Sequence, residues 1–324
     1  MEKLDLKDRK ILYHLDLDSR QSFSQLGKKV GLHKDVVAYR VKNLQDRGIL
    51  KNFVPIINNS RLGYNWYRFY FNYQYASPEI KEEIANYFVK KKYCHTVITA
   101  EGHFDLIINT HAKDVSIAYS VWEDILRRYR DYFAHQVFSV VSTSYGYRNT
   151  FLLEETGSER QKNIKHVAHG CSKAVEIDNL DYNILRLLSQ NARLPTIDIA
   201  NTLHSTTNTI KNRIKKLVDL EVIGGFRILI DFPLLGYHMY KCDIILKDHN
   251  IINKIIDYIN DNPHLEGVIR SIGYVDLELV FILNNVNQLH EVMRDVSLKF
   301  PDSIKNYTYF SSLKTYKWAG DLVD

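Results

Sequence analysis

Arg40-Val41-Lys42-Asn43-Leu44-Gln45-Asp46-Arg47-Gly48 returns 173 residues later as Arg213-Ile214-Lys215-Lys216-Leu217-Val218-Asp219-Leu220-Glu221, the same helix end written twice. Upstream, Asp5, Asp8, Ile11, Leu12 and Leu15 meet Asp178, Asp181, Ile184, Leu185 and Leu188, and Arg20 meets Arg193. Downstream, Phe53 meets Phe226 and Leu62-Gly63-Tyr64 meets Leu235-Gly236-Tyr237. With two residues deleted from the second copy, Gly102-His103-Phe104-Asp105-Leu106 falls on Gly273-Tyr274-Val275-Asp276-Leu277, and Tyr145 on Tyr316. A repeat this long is a duplicated domain pair and not a solenoid.

Each copy opens with three short helical patterns. Leu6, Ile11, Leu12 and Leu15 recur at helical spacing behind acidic residues suited to a helix start. Ser22 is placed to cap a second helix whose Phe23, Leu26 and Val30 share a face, with Gly31 as its stop. A third begins near His33, turns Val37, Val41 and Leu44 inward and stops at Gly48. In the second copy the inward sets are Ile184/Leu188, Ile199/Leu203 and Ile210/Ile214/Leu217. Two short helices joined by a tight turn, the second amphipathic and basic, form a helix-turn-helix. Its outward residues, Lys34, Asp35, Ala38, Tyr39 and Lys42, and in copy two Thr207, Asn208, Lys211, Asn212 and Lys215, suit base edges and phosphates. With Arg40 and Arg213 from the repeated helix ends, the DNA-binding candidates are Lys34, Tyr39, Arg40, Lys42, Asn208, Lys211, Asn212, Arg213 and Lys215.

After each helical unit the period changes to two. Strands are predicted over 67–73, 96–100, 104–110 and 136–145, with helices over 78–90 and 114–127 between them. The second copy repeats the order with a first strand over 242–246, helices over 251–260 and 286–296, and a last strand over 305–316. The order βαββαβ is a ferredoxin-like unit with both helices on one sheet face. Its other face needs cover, and the same face of the second copy is the expected partner. The fold class is therefore α+β, a tandem duplication of a winged helix-turn-helix unit and a ferredoxin-like domain. The expected domains are 1–61 and 62–155, a polar linker over 156–176, then 177–235 and 236–324. A flexible linker of about twenty residues spans roughly 25 Å, enough for an intrachain pseudo-dimer, with further homo-oligomerisation left open.

Composition bounds the function. Over 324 residues, 45% are hydrophobic and 25% charged, which excludes disorder, collagen and a disulfide scaffold. No stretch approaches the ~20 apolar residues of a membrane helix, and Met1-Glu2-Lys3-Leu4-Asp5 does not start a signal peptide, so a cytoplasmic protein is expected. Cys94, Cys171 and Cys242 are far apart and read as reduced thiols, with no metal site and no cofactor. Residues 1–61 carry 13 Lys/Arg against 7 Asp/Glu, while residues 178–231 carry 7 against 6. A basic front unit fits a polyanion partner such as double-stranded DNA.

Helix-turn-helix, connecting hairpin and a ferredoxin-like domain with a Gly-x-x-Asp turn together resemble the leucine-responsive/asparagine-response (Lrp/AsnC) regulators. The residues that carry the likeness are 4–12, 40–50 and 102–106, repeated through 213–217 and 273–277. It covers nearly the whole chain twice, with Glu221 where copy one has Gly48. The resemblance implies DNA binding and response to an amino acid held between effector domains. It places effector contacts at Gly102, His103, Asp105, Gly273, Tyr274 and Asp276, where glycine allows close backbone approach and the aspartate faces a ligand ammonium group. The bland reading of the same turns is hairpin chemistry. No HExxH, GxSxG, P-loop or dinucleotide-binding motif appears, and His166 and His169 stand in the linker without further ligands, so no enzyme is expected. Two alternatives remain, a siroheme decarboxylase of the same architecture and a scaffold that does not bind DNA.

Overall fold

The computed structural model describes residues 2–156, 165–170 and 172–318. Cys171 and residues 319–324 lie outside the described residues, as do the side chains of His166 and His169.

The first unit holds α1 (Leu6–Leu17), α2 (Phe23–Val30) and α3 (Lys34–Asp46). Their ends follow local chemistry. Asp5 caps α1 by accepting from the Asp8 amide. Ser22 and Gln25 form a reciprocal capping box on α2, which Gly31 ends in the left-handed region. Strand β1 (Leu50–Ile57) follows, and then β2 (Asn65–Tyr73), α4 (Pro78–Val89), β3 (Cys94–Gly102), β4 (Leu106–Ala112), α5 (Val115–Tyr129) and β5 (Phe133–Tyr147). Strand β6 (Lys165–Gly170) joins the copies. The second copy repeats the order with α6 (Asn179–Gln190), α7 (Thr196–Thr202), α8 (Thr207–Asp219) and β7 (Ile223–Ile230). It continues with β8 (His238–Leu246), α9 (Ile252–Ile259), β9 (Leu265–Ile272), β10 (Leu277–Leu283), α10 (Val286–Lys299) and β11 (Ile304–Trp318). Glu221 takes φ +57°, close to the +73° of Gly48, so the missing glycine leaves the backbone path unchanged.

Two expectations need correction. The connecting segments do not form hairpins within each copy. Instead β1 and β7 pair antiparallel with each other across the two copies, Phe53 opposite Ile228 and Pro55 opposite Phe226. The reason is side-chain destination: Ile228 and Ile230 of β7 are buried with the first helical unit, while Ile57 of β1 is buried with the second. The linker expected over 156–176 also contains β6, which pairs with the C-terminal half of β5, Tyr145 opposite Val167.

Each βαββαβ domain has the ferredoxin-like strand order, β5-β2-β4-β3 in the first copy and β11-β8-β10-β9 in the second. The last strands are long enough to serve both sheets. β5 pairs with β2 through residues 133–141 and with β9 through 140–146. β11 pairs with β8 through residues 304–311 and with β3 through 310–318. Eight strands thus close into a ring within one chain, which leaves no free edge at β3 or β9. Helices α4 and α5 cover one outer face around Phe69, Phe71 and Phe88, and α9 and α10 cover the other around Cys242, Phe281 and Met293. The inner faces meet over Tyr70, Phe104, Ile107 and Phe310, with Met239 and Tyr274 packed beside them. That is the expected intrachain pseudo-dimer.

Candidate nucleic-acid interface and effector turns

The recognition helices α3 and α8 bury Val37, Val41 and Leu44, and Ile210 and Leu217, so their opposite faces are left to solvent. Lys34, Tyr39 and Lys42 are exposed, as are Asn208, Lys211, Asn212 and Lys215. Lys42 pairs with Asp46 at 3.1 Å in full solvent, a bond worth little.

Arg40 and Arg213 sit differently. Arg40 Nη1 donates to Asp5 at 2.7 Å and to Asp8 at 2.8 Å. Arg213 Nη1 donates to Asp178 at 2.5 Å and to Asp181 at 3.2 Å. Both guanidinium groups tie the recognition helix back to the first helix of its unit. Hydrogen bonding to Asp5, then to Asp8, raises the pKa of Arg40, and that to Asp178 does the same for Arg213.

The two units lock together through a reciprocal contact. Arg20 Nη1 donates to the Ala192 carbonyl and to that of Leu194 at 3.3 Å. Arg193 Nη1 donates to the Ser19 carbonyl at 2.5 Å and to that of Gln21 at 3.0 Å. The backbone repeats the exchange, Ser19 N to Phe226 O at 3.1 Å and Ala192 N to Phe53 O at 2.8 Å. Two helix-turn-helix units are therefore held as one pseudo-twofold body.

One junction breaks that symmetry. The buried Asp16 at the end of α1 accepts from Arg227 Nε of β7 at 2.8 Å and from the Asn149 amide at 2.9 Å, while Arg148 donates to its carbonyl at 2.5 Å. Arg227 also reaches Glu266 of β9 at 3.5 Å. The matching residue in copy two is Ser189, and Val54 matches Arg227, so the second unit lacks the residues for an equivalent tie to the sheet core.

At the two Gly-x-x-Asp turns, Gly102 has φ +122°, and a Cβ there would stand 2.6 Å from the Tyr309 carbonyl. Gly273 has φ +105° and would meet the Phe138 carbonyl at 2.8 Å. Both glycines let one copy's turn press on the other copy's last strand, and His103 N donates to Tyr309 O at 3.0 Å. Asp105 accepts from the Tyr73 amide at 2.8 Å and Asp276 from the Leu246 amide at 2.7 Å, so each carboxylate closes its own sheet. The variable residues of the two turns come together: the His103 and Tyr274 rings stack at 6.2 Å, with Phe104 and Tyr70 beside Tyr274. Burial, then His135 and Lys241, lowers the pKa of His103.

Two cavities of about 400 and 370 Å³ lie elsewhere. The first is lined by Glu2, Lys3, Leu4, Arg9, Leu152, Leu235 and Tyr237. The second is at the α2–α3 turn, lined by Ser24, Gly27, Lys28, Gly31, Leu32, His33 and Lys34.

An AsnC-type helix-turn-helix domain matches residues 4–45 and again 177–218. An uncharacterized HTH-type transcriptional regulator of Pyrococcus furiosus is 32% identical over 122 residues, 38% of this chain and 82% of that protein. The chain belongs to the Lrp/AsnC family. Another member, the HTH-type transcriptional regulator LrpB of Bacillus subtilis, is 25% identical over 143 residues, 44% of this chain and 93% of that protein. Each of these relatives matches less than half of the present chain, which carries two modules of the family in tandem. A likeness over the whole length comes from the crystal structure of the siroheme decarboxylase NirDL, with TM-score 0.64 and 13% identity over 96% of this chain and 92% of that one. At that identity the likeness is one of fold. Among the described residues, no helix is long and apolar enough to cross a membrane.

The sequence reading missed Arg68, Lys241, Asp243 and Glu278, which are buried between the two sheets. The available signal was charge at alternate strand positions, Tyr67-Arg68-Phe69, Lys241-Cys242-Asp243 and Leu277-Glu278-Leu279. The matched Arg20 and Arg193 were visible as a repeat, but their contact needed the fold.

Proposed function

We propose that this protein is a sequence-specific DNA-binding transcriptional regulator that reads an imperfect palindrome with its two unequal helix-turn-helix units and responds to an amino acid or similar small effector. The observation that carries the reading is the Arg20–Arg193 exchange. It holds two recognition helices in one pseudo-twofold pair with their polar faces in solvent. Such a pair contacts half-sites about one helical turn, or a multiple of it, apart. Lys34, Tyr39 and Lys42 of α3 and Asn208, Lys211, Asn212 and Lys215 of α8 supply the contacts. Arg40 and Arg213 hold the helices that present them. Lys28 and Lys34 flank the cavity at the α2–α3 turn and suit a backbone phosphate. Effector response belongs to the seam where His103 stacks on Tyr274, because both copies contribute to it and Gly102 and Gly273 bring the turns against the opposite strands.

Selection of genomic fragments by the purified chain, with and without a panel of amino acids, tests both halves of the reading. A recurrent two-half-site sequence is the expected product, and its enrichment should change with one member of the panel. A ligand that binds only the folded state raises stability by roughly 2.7 kcal/mol at a hundredfold excess over its dissociation constant. The same preparation titrated with siroheme tests the enzymatic alternative. Saturable absorbance changes and loss of carboxylate from the product, without DNA enrichment, would replace the regulator by a decarboxylase. Neither DNA enrichment nor siroheme binding would leave the scaffold.

A further inference from the structure

The face along which the two sheets meet buries four charged side chains, Arg68 from the first sheet and Lys241, Asp243 and Glu278 from the second, and the Arg68–Glu278 pair crosses between them. Arg68 of β2 donates through Nη1 to Glu278 of β10 at 2.6 Å, and through Nη2 to the other Glu278 oxygen and to Ser139 at 3.2 Å. Lys241 of β8 donates to Glu278 at 2.6 Å, to Asp243 at 2.5 Å and to the Tyr70 hydroxyl at 3.3 Å. Ser271 donates to Glu278 at 2.6 Å. The side chains of Arg68, Lys241, Asp243 and Glu278 are 3%, 7%, 0% and 0% exposed. Charges this deep are tolerated only with partners.

The internal repeat shows what each residue replaces. Arg68 corresponds to Lys241, Tyr70 to Asp243, Ile107 to Glu278, Ala100 to Ser271 and Ser139 to Phe310. At neutral pH this part of the first inner face carries one net positive charge and no carboxylate. The second carries one net negative charge. Joined, they balance. Two first faces would bury two arginines opposite isoleucines with no carboxylate to balance them. Two second faces would bury four carboxylates against two lysines.

We propose that this cluster is a pairing code, by which the first effector sheet accepts the second and rejects a second copy of itself or an uncharged sheet of the same fold. The partner of either face is thus the complementary face of this same sequence, in the same chain or, by exchange, in another. The tether raises the effective concentration of the intrachain partner to the order of millimolar but cannot by itself distinguish right from wrong faces. The charges supply that discrimination. The code concerns which sheets meet, so it stands independently of DNA binding or effector response.

Charge-reversed full-length chains test it at pH 7.5. Arg68→Glu and Glu278→Arg should each lower the melting temperature by roughly 10 °C, as expected when a buried pair is broken. Arg68→Glu/Glu278→Arg should recover at least half of the loss. Refolding Arg68→Glu chains with isotope-labelled Glu278→Arg chains should then give a one-to-one heterodimer by native mass spectrometry, because each balances the other's faces. Neither variant should form a comparable dimer alone. A reversed pair must also fit the space, so Arg68→Met, Glu278→Met and their combination are measured in parallel, with the combination expected to be more stable than either single variant. Additive losses in both series, with no heterodimer from the mixture, would overturn the code. So would single reversals that melt like the wild type.

Discussion

Arg20 and Arg193 each reach across the molecular pseudo-twofold to the carbonyls of the loop that carries the other. The two guanidinium groups are more than half buried, and burial lowers the pKa of each. They also lie over aromatic rings, Arg20 on Phe226 at 5.4 Å and Arg193 on Phe23 at 4.5 Å. An arginine supplies a planar fork that a lysine cannot reproduce at such a site.

Arg20→Lys and Arg193→Lys should therefore both weaken the paired readers. Each bond to a carbonyl that is removed costs about 1.5–3 kcal/mol when the partner is left without a donor. Thermal unfolding checks the stability, and binding to one-half-site and two-half-site duplexes checks the pairing. The two-half-site advantage should shrink while one-half-site affinity holds.

Lys34→Ala/Lys42→Ala should reduce DNA affinity more than Lys211→Ala/Lys215→Ala, because the first unit is the more basic of the two. Every lysine–phosphate pairing removed should flatten the log–log salt slope by about 0.9. Arg40→Ala belongs to another class. It frees Asp5 and Asp8 from their shared partner and should lower the melting temperature as well as affinity. Salt titrations and melting curves on the three variants separate these outcomes.

Gly102→Ala would set a methyl 2.6 Å from the Tyr309 carbonyl and 3.0 Å from the Phe310 Cα, at a φ that favours glycine. Backbone cannot yield as a flexible side chain does, so the β3–β11 seam must open. A destabilisation of about 2–4 kcal/mol is expected, and faster amide exchange in residues 96–102 and 310–318 should accompany it. Gly273→Ala should do the same at the β5–β9 seam, where Phe138 O stands 2.8 Å away.

The buried acids give opposite slopes of stability with pH. Burial pushes Asp243 up to about 6, with Lys241 only partly offsetting it. The folded chain thus holds that proton more tightly than the unfolded chain. The stabilisation is complete below the ordinary aspartate range and is lost as pH rises through about 6. Burial acts on Glu278 too, but Arg68 and Lys241 outweigh it and hold that carboxyl below the usual range. Its contribution is present above the ordinary glutamate range and falls away in acid. Asp243→Asn should accordingly gain on the wild type in melting temperature between pH 4.5 and 7, whereas Glu278→Gln should lose least at the acid end.

Much of the architecture was legible in the sequence. Capping residues such as Asp5, Ser22 and Gly31 act on their own helix ends, and strand alternation acts on a single sheet, so both leave their marks within a few residues. The repeat added the duplication, and with it the expectation that two sheets of one chain face each other. Even Glu221 for Gly48 was visible, although only the backbone showed that its φ of +57° preserves the turn.

The tertiary structure decided what these repeated parts do to one another. Arg40 and Arg213 stand in basic helices that suggest DNA contacts, and only the fold shows that they also pair with Asp5, Asp8, Asp178 and Asp181 at the start of each unit's first helix. Segments 50–57 and 223–230 form one ribbon across the copies instead of two hairpins, since Ile228 and Ile230 of one strand and Ile57 of the other are buried in the opposite unit's core. Gly102 and Gly273 serve close approach to strands some 200 and 135 residues away in sequence, a distance no local pattern can encode. Sequence determined which elements form, because hydrogen-bonding and hydrophobic periodicity are local. The fold determined which charges meet, because Arg68 and Glu278 are 210 residues apart until two sheets bury them together.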